Sequence, residues 1–231
     1  VFSTLNWAGD YGKVISRGLR ALIEEAQAKL DKVGVGKDAE IGYDKAPFLK
    51  AFIIACEGLI AYAHRYAAQA RAMAAVENDP IRKEELLKIA ENCEHVPEYP
   101  ARSFHEALQC QWFVTTAYKL EQPTVGVISL GRFDQYMYPS FIHDMENGVI
   151  TREKALELME CLWFKIAQYV PFNATNAGNY WEGYAHFEQT VIGGQTRNGH
   201  DATNELSYLV LESKKEFPMH YPDLSVRLHA G

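Results

Sequence analysis

The sequence has no run of basic residues. Its 23 Lys and Arg are outnumbered by 30 Asp and Glu, giving a net charge of −7. Nucleic acids and anionic membrane surfaces are held by concentrated positive patches, so neither is expected as a partner. A long apolar run is missing too. The longest candidate, from Ala51, is interrupted by Glu57, His64 and Arg65, short of the roughly 18–20 apolar residues that cross a bilayer. The opening residues VFSTLNWAGDYGK lack the basic start and apolar centre of a signal peptide. A cytoplasmic protein that handles a small molecule is the class that remains.

Cysteine is scarce and unpaired in sequence. Cys56, Cys93, Cys110 and Cys161 stand far apart, each inside a helical pattern, with no CxxC or Cys/His spacing. Such residues read as buried, reduced thiols in a reducing compartment. The eight histidines do not cluster, so no metal site is expected. Nucleotide and hydrolase signatures are absent as well: no GxGxxG after a strand, no P-loop, no GxSxG and no HExxH. VGVGK at Val33 to Lys37 lacks the helix and spacing of a phosphate loop.

What is present reads first as helix. Val14, Ile15, Leu19, Leu22, Ile23, Ala26 and Leu30 follow a 3.6-residue period. A long Ala-rich helix is predicted from about Ala46 to Val76, as a buried scaffold element. Asp79–Pro80 marks the next helix start, and HVPEYPARS is predicted to be an extended connection. Ser103 and Glu106 have the spacing of a capping box. Thr151 is an N-cap for the helix carrying Met159, Leu162, Trp163 and Ile166. After Val170 the texture changes to a polar and aromatic loop. FEQTVIGG then reads as a strand, DATNELSYLVLESKKEF as a helix capped by Asp201 or Thr203, and PDLSVRLHA as a second strand. Strand, crossover helix and strand form a βαβ unit with parallel strands. The fold class is α/β: a mainly helical region at 1–170 feeds the first parallel strands at 171–231. The chain opens on Val1 and closes on LSVRLHAG, and is expected to be a segment of one domain in a longer polypeptide.

Two stretches carry candidate chemistry. GGQTRNGHDAT is either an anion cradle at a helix N-terminus or a plain strand-to-helix turn. ISLGRFDQYMYP, Ile128 to Pro139, places Ser129 at the end of a β-favouring run, just before Gly131. Gly131 permits a turn that other residues adopt at a cost. Arg132 and Asp134 either pair across that turn or reach neighbouring backbone. A polar side chain at a strand end is a common ligand contact; a structural Arg–Asp corner is the alternative.

Together these pieces resemble one family. DYGKVISRGLRALIEEAQ, RKEELLKIAENCEHVPEYPARSFHEALQCQWF, SLGRFDQYMYPSFIHDMENGVITREKALELMECLWFKI and TVIGGQTRNGHDATNELSYLVLE are similar to the N-terminal pyruvate formate-lyase-type domain of glycyl radical enzymes. The resemblance implies a ten-stranded α/β barrel of two parallel half-sheets wrapped by helices, incomplete in this chain. It also implies a protein-derived glycyl radical near a C-terminus that lies beyond this segment. A radical S-adenosylmethionine activating enzyme makes that radical, which generates a thiyl radical on a loop cysteine inside the barrel. No residue of this segment matches the catalytic cysteine or the radical glycine, so no catalytic residue is assigned and the segment alone is expected to be inactive. The parent enzyme, a homodimer in this reading, would cleave C–O, C–N or C–C bonds or perform an addition. A non-catalytic helical scaffold or binding module on the same fold is the alternative.

The resemblance further implies which residues line the substrate pocket. Asn6, four positions before the DY, stands where non-formate branches place a polar substrate contact, with Trp7 beside it. An amide side chain donates and accepts but does not titrate, so Asn6 would orient a hydroxyl or carboxylate; packing at the barrel rim is the alternative. Ser129 matches a pocket serine, Asp134 lies close by, and Trp181 and Phe187 fall in a region that supplies aromatic walls. Phe2 occupies the position where the isethionate-cleaving branch has an arginine, which argues against a sulfonate substrate.

Overall fold

The structure is a computed structural model that describes residues 7–33, 45–121, 128–169 and 188–229. Its elements run β1 (Trp7–Ala8), α1 (Tyr11–Leu30), α2 (Ala46–Val76), α3 (Pro80–His95), α4 (Phe104–Glu121), β2 (Ile128–Arg132), α5 (Phe133–Glu146), α6 (Arg152–Ala167), β3 (Gln189–Gly193), α7 (Glu205–Glu216) and β4 (Asp223–Arg227). The chain divides into two compact units, one of residues 13–101 and one of residues 1–12 with 102–231. Of the four strands among the described residues, β1 and β2 lie before residue 170, in the mainly helical region; β2 meets the β-favouring run that ends at Ser129, and β1 has no sequence signal.

In the unit of residues 13–101, Leu19, Leu22 and Ile23 of α1 pack with Cys56 and Ile60 of α2. The α1 helix is kinked at Gly18, whose φ is +71°. The kink frees the amides of Leu19 and Arg20, which donate to Pro97 O at 2.8 Å and Glu98 O at 2.9 Å. Residues 96–98 are therefore a turn seated in the kink rather than the extended connection predicted from the two prolines. Glu98 fixes the same place with its side chain, accepting from Arg20 Nη2 at 2.6 Å and facing His64 Nε2 at 3.1 Å.

The α2 helix has the predicted bounds but not the predicted burial. It buries Cys56, Ile60 and a stripe of Ala63, Ala67, Ala70 and Ala74, while Phe48, Ile54, Met73 and Val76 are exposed in this chain. Periodicity does not distinguish its faces because alanine occupies both. With a mean hydropathy of 1.5 over 18 residues, α2 is also long and apolar enough to cross a membrane by length and composition, despite its charged interruptions. Asp79 caps α3, its carboxylate accepting from Ile81 N, with Pro80 in the first turn as predicted.

The second unit holds a parallel sheet of order β1-β2-β3-β4 among the described residues. Its strand–α7–strand end is the βαβ unit expected from sequence. Ile128 and Leu130 of β2, with Thr190 and Ile192 of β3, are buried on the side that meets α4 and α5. Phe104, Phe133, Phe141, Met137, Met159 and Trp163 fill the space behind them. Trp163 Nε1 donates to Ser213 Oγ at 2.8 Å, so its polar edge is satisfied inside the core.

Helix starts in this unit show where local signals bend to tertiary context. Thr151 caps α6 as predicted. Ser103 Oγ accepts from Glu106 N, giving half of the expected capping box. The other half is displaced: Glu106 takes the Arg102 amide at 2.7 Å and its guanidinium at 2.5 Å. The cap of α7 is Asn204, not Asp201 or Thr203, in a reciprocal box with Ser207. The box occupies the Ser207 and Asn204 amides at the start of α7, and GGQTRNGHDAT runs as a turn from β3 into that helix.

Candidate functional site

Side chains alternate across a strand; among the described residues one face of the sheet packs on helices and the other is uncovered. The register places Ala8 beside Ser129, Ser129 beside Gln189, and Gln189 beside Asp223. Ala8, Gln189 and Asp223 are exposed and Ser129 is half-buried, so this row lies on the open face. A band of one hydroxyl, one amide and one carboxylate crosses three neighbouring strands about 4.8 Å apart.

Ser129 is positioned by an irregularity in its own strand. The pairing shifts between Ser129 and Gly131, where Gly131 has φ +65°. Gly131 is thus a bulge inside β2, which runs on to Arg132, and not the turn predicted after the strand. The Ser129 hydroxyl accepts from Gly131 N at 3.0 Å. Its own hydrogen points to Gln189 O at 3.5 Å, at the outer limit of a hydrogen bond.

Arg132 and Asp134 take the second of the two roles considered for them: both reach backbone. Arg132 donates to Gln195 O at 2.9 Å and Gly193 O at 2.8 Å. Asp134 is fully buried. Its Oδ2 accepts from Gly193 N at 2.7 Å and from Ser207 Oγ at 2.5 Å. Its carbonyl accepts from Asn204 Nδ2 at 3.1 Å. The GRFD segment therefore clamps the end of β3 to the start of α7.

Of the other predicted pocket residues, Asn6, Trp181 and Phe187 lie outside the described residues. Trp7 of β1 is described through its backbone, which pairs with Ile128 of β2. Sequence reasoning missed Gln189 and Asp223 as partners of Ser129. Their alternation with Thr190 and Leu224 was visible, but the register that aligns them was not.

A second polar feature lies at the foot of β3. Glu188, fully buried, forms an ion pair with Lys119 of α4, and its carbonyl accepts from Asp223 N at 2.8 Å. Burial pushes the Glu188 carboxyl above its ordinary value, and the nearby Lys119 ammonium offsets only part of that shift. On α7, Lys214 Nζ sits 4.9 Å over the Trp163 ring of α6, and burial lowers its pKa to about 8.

Three of the four cysteines are poor nucleophiles, because burial keeps their thiols protonated. Cys56, Cys93 and Cys110 are buried, and burial raises the first two to about 11 and about 12 and the third further. Cys161 is exposed, which corrects the expectation that all four are buried. Among the described residues, no group of three or more His, Cys, Asp or Glu is placed to hold a metal ion.

The pyruvate formate lyase-like family matches residues 5–231. The isethionate sulfite-lyase of Oleidesulfovibrio alaskensis is 50% identical over 99% of this chain and 28% of its own length. The (2S)-3-sulfopropanediol dehydratase of Klebsiella oxytoca is 38% identical over 95% of this chain and 26% of its own. The glycerol-bound B12-independent glycerol dehydratase of Clostridium butyricum superposes with a TM-score of 0.87 at 36% identity, covering 98% of this chain and 28% of that one. The chain thus spans little more than a quarter of the length of these relatives. By its sequence match and by the sheet and helices that carry it, the chain belongs to the pyruvate formate lyase-like family of glycyl radical enzymes.

Proposed function

We propose that this chain is the substrate-facing portion of a glycyl radical enzyme that cleaves a C–O, C–N or C–C bond, or performs a related addition, on a small organic compound. The observation that carries this reading is Ser129 on the open face of the parallel sheet, within a chain of this family. The bulge amide of Gly131 fixes the Ser129 oxygen, and the long contact to Gln189 O leaves the hydroxyl hydrogen available to a substrate oxygen. Asn6, Trp181 and Phe187 complete the pocket wall in this reading, while Trp7 pairs with Ile128 and stands one position out of phase with the Ser129 row. Asp134 acts from behind, holding Gly193 and α7 so that β2 and β3 keep their register.

A backbone glycyl radical, made in the parent protein by a radical S-adenosylmethionine activating enzyme and relayed to a cysteine, supplies the hydrogen-abstraction chemistry. The four cysteines of this chain are not that residue. This chain's own part is to bind and orient. Through Ser129 and Asn6 it presents neutral donors and acceptors that hold a substrate without moving its protons, in a cytoplasmic homodimer.

The substrate in this reading is a hydroxyl-bearing compound without a sulfonate. The resemblance implies an arginine near the position of Phe2 in the isethionate-cleaving branch, and none stands there in this sequence; the polar row around Ser129 also ends in the carboxylate of Asp223, which repels an anion. A sulfonate-cleaving lyase is the second reading, favoured by the 50% identity to the isethionate enzyme. Anaerobic incubation of the activated full-length protein with glycerol, 1,2-propanediol, trans-4-hydroxy-L-proline and isethionate separates them. Release of a dehydrated product without sulfite supports the first reading, and sulfite from isethionate supports the second. No turnover of any substrate by an enzyme that carries the radical contradicts both.

A further inference from the structure

We infer that Gln189 is a specificity-determining residue, whose side-chain amide holds a second polar group of the substrate engaged by Ser129. The inference rests on the proposed role of Ser129 and extends it to a residue that the resemblance does not assign.

Three observations meet at Gln189. The register makes it the direct neighbour of Ser129 on the same face of the sheet. It is exposed, while Thr190 and Ile192 on alternate positions are 0% and 1% exposed, so the strand itself turns the amide outward. Its carbonyl lies 3.5 Å from Ser129 Oγ, so the two positions adjoin without the hydroxyl being firmly held. Strand spacing of about 4.8 Å lets one small molecule reach both side chains through polar groups on adjacent carbons.

The chemistry of the pair limits what it recognises. A serine hydroxyl gives one hydrogen, and a primary amide offers two donors and a carbonyl acceptor without charge. Gln189 therefore accepts a hydroxyl in either orientation. It stands between Ser129 and the Asp223 carboxylate, which keeps a strong anion from extending along the row. A substrate with a single polar group uses Ser129 alone and gains nothing from Gln189.

The test is ligand binding to the unactivated full-length protein, which requires no radical. Glycerol and isethionate are titrated by calorimetry into wild type, S129A, Q189L and the double variant, with Tm measured for each. Leucine matches glutamine in size but makes no hydrogen bond. The expected result is about a tenfold loss of affinity in each single variant for the probe that binds wild type more tightly. The double variant should lose less than the product of the two, because one ligand bridges both residues, and Tm should stay within about 2 °C of wild type. A second comparison, Q189E, should weaken isethionate more than glycerol, which a structural role for Gln189 would not produce. Q189L binding as wild type does, or failure of both probes to bind wild type, overturns the inference. The catalytic reading fails separately: absence of a glycyl radical signal in the activated protein sinks it without touching a Q189L-sensitive binding site.

Discussion

Asp134 and Gly193 are joined across 59 residues of sequence, the Asp134 Oδ2 accepting the Gly193 amide at 2.7 Å. The carbonyl of the same glycine accepts from Arg132 Nη2 at 2.8 Å. One residue at the end of β3 is thus gripped on both sides by the segment that follows Ser129. Gly193 has φ +71°, and a Cβ there would lie 2.7 Å from Arg227 O, so the position admits no side chain without moving β4.

Asp134→Ala should destabilise the full-length protein by about 3 kcal/mol, because two buried donors, Gly193 N and Ser207 Oγ, lose their acceptor. Denaturant unfolding measures it. Asp134→Asn should cost less, since one amide oxygen remains to accept.

Gly18→Ala should cost about 3 kcal/mol or more. The new Cβ would lie 2.5 Å from Glu98 O and 2.6 Å from Tyr99 Cα, at a residue with φ +71°. Both neighbours are backbone, Glu98 O held by the Arg20 amide and Tyr99 by its own amide on His95 O, so neither yields easily. Thermal denaturation of the variant is the check.

The Lys119–Glu188 pair gives a prediction with two arms. Glu188→Gln should destabilise by about 3–5 kcal/mol, because the Lys119 ammonium loses its buried carboxylate. Replacing both residues with leucine should recover most of that loss. A double variant no more stable than Glu188→Gln would show that the pair is needed for more than charge compensation.

Lys214 predicts a rise in stability on the alkaline side. Its folded pKa is about 8 against 10.5 for the free side chain. The unfolded chain therefore binds more protons between those values, and stability increases as pH rises through that window. Below about pH 8 the cost of burying the ammonium is present in full. Lys214→Met should remove this pH dependence. It should also raise Tm at pH 7 by about 2–4 °C, for a gain of order 1 kcal/mol after allowing for partial solvent exposure. Thermal scans of both proteins from pH 7 to pH 10.5 decide it.

Much of the helical framework was legible because its signals are local. The Asp79 and Thr151 caps, the bounds of α2 and the βαβ order all follow from residues a few positions apart. Failures came where a distant residue decides. Asn204 outcompetes Asp201 and Thr203 as a cap because Ser207, held by Asp134, returns its bond. Glu106 is drawn off the box by the Arg102 guanidinium. Cys161 is exposed although its pattern matches that of the buried cysteines. The candidate site divides in the same way. Ser129 stands out beside Gly131, but Gln189 and Asp223 become its neighbours only through strand register. Asp134, expected at the pocket, is drawn into the interior by Gly193 and Ser207.

The most direct test of the central claim is electron paramagnetic resonance of the full-length protein, treated without oxygen with its activating enzyme and S-adenosylmethionine, for wild type and S129A side by side. The account predicts a glycyl doublet of equal amplitude in both, with kcat/KM of S129A on the preferred substrate reduced about tenfold or more. No doublet under conditions that activate a control enzyme, or full activity in S129A, would contradict it.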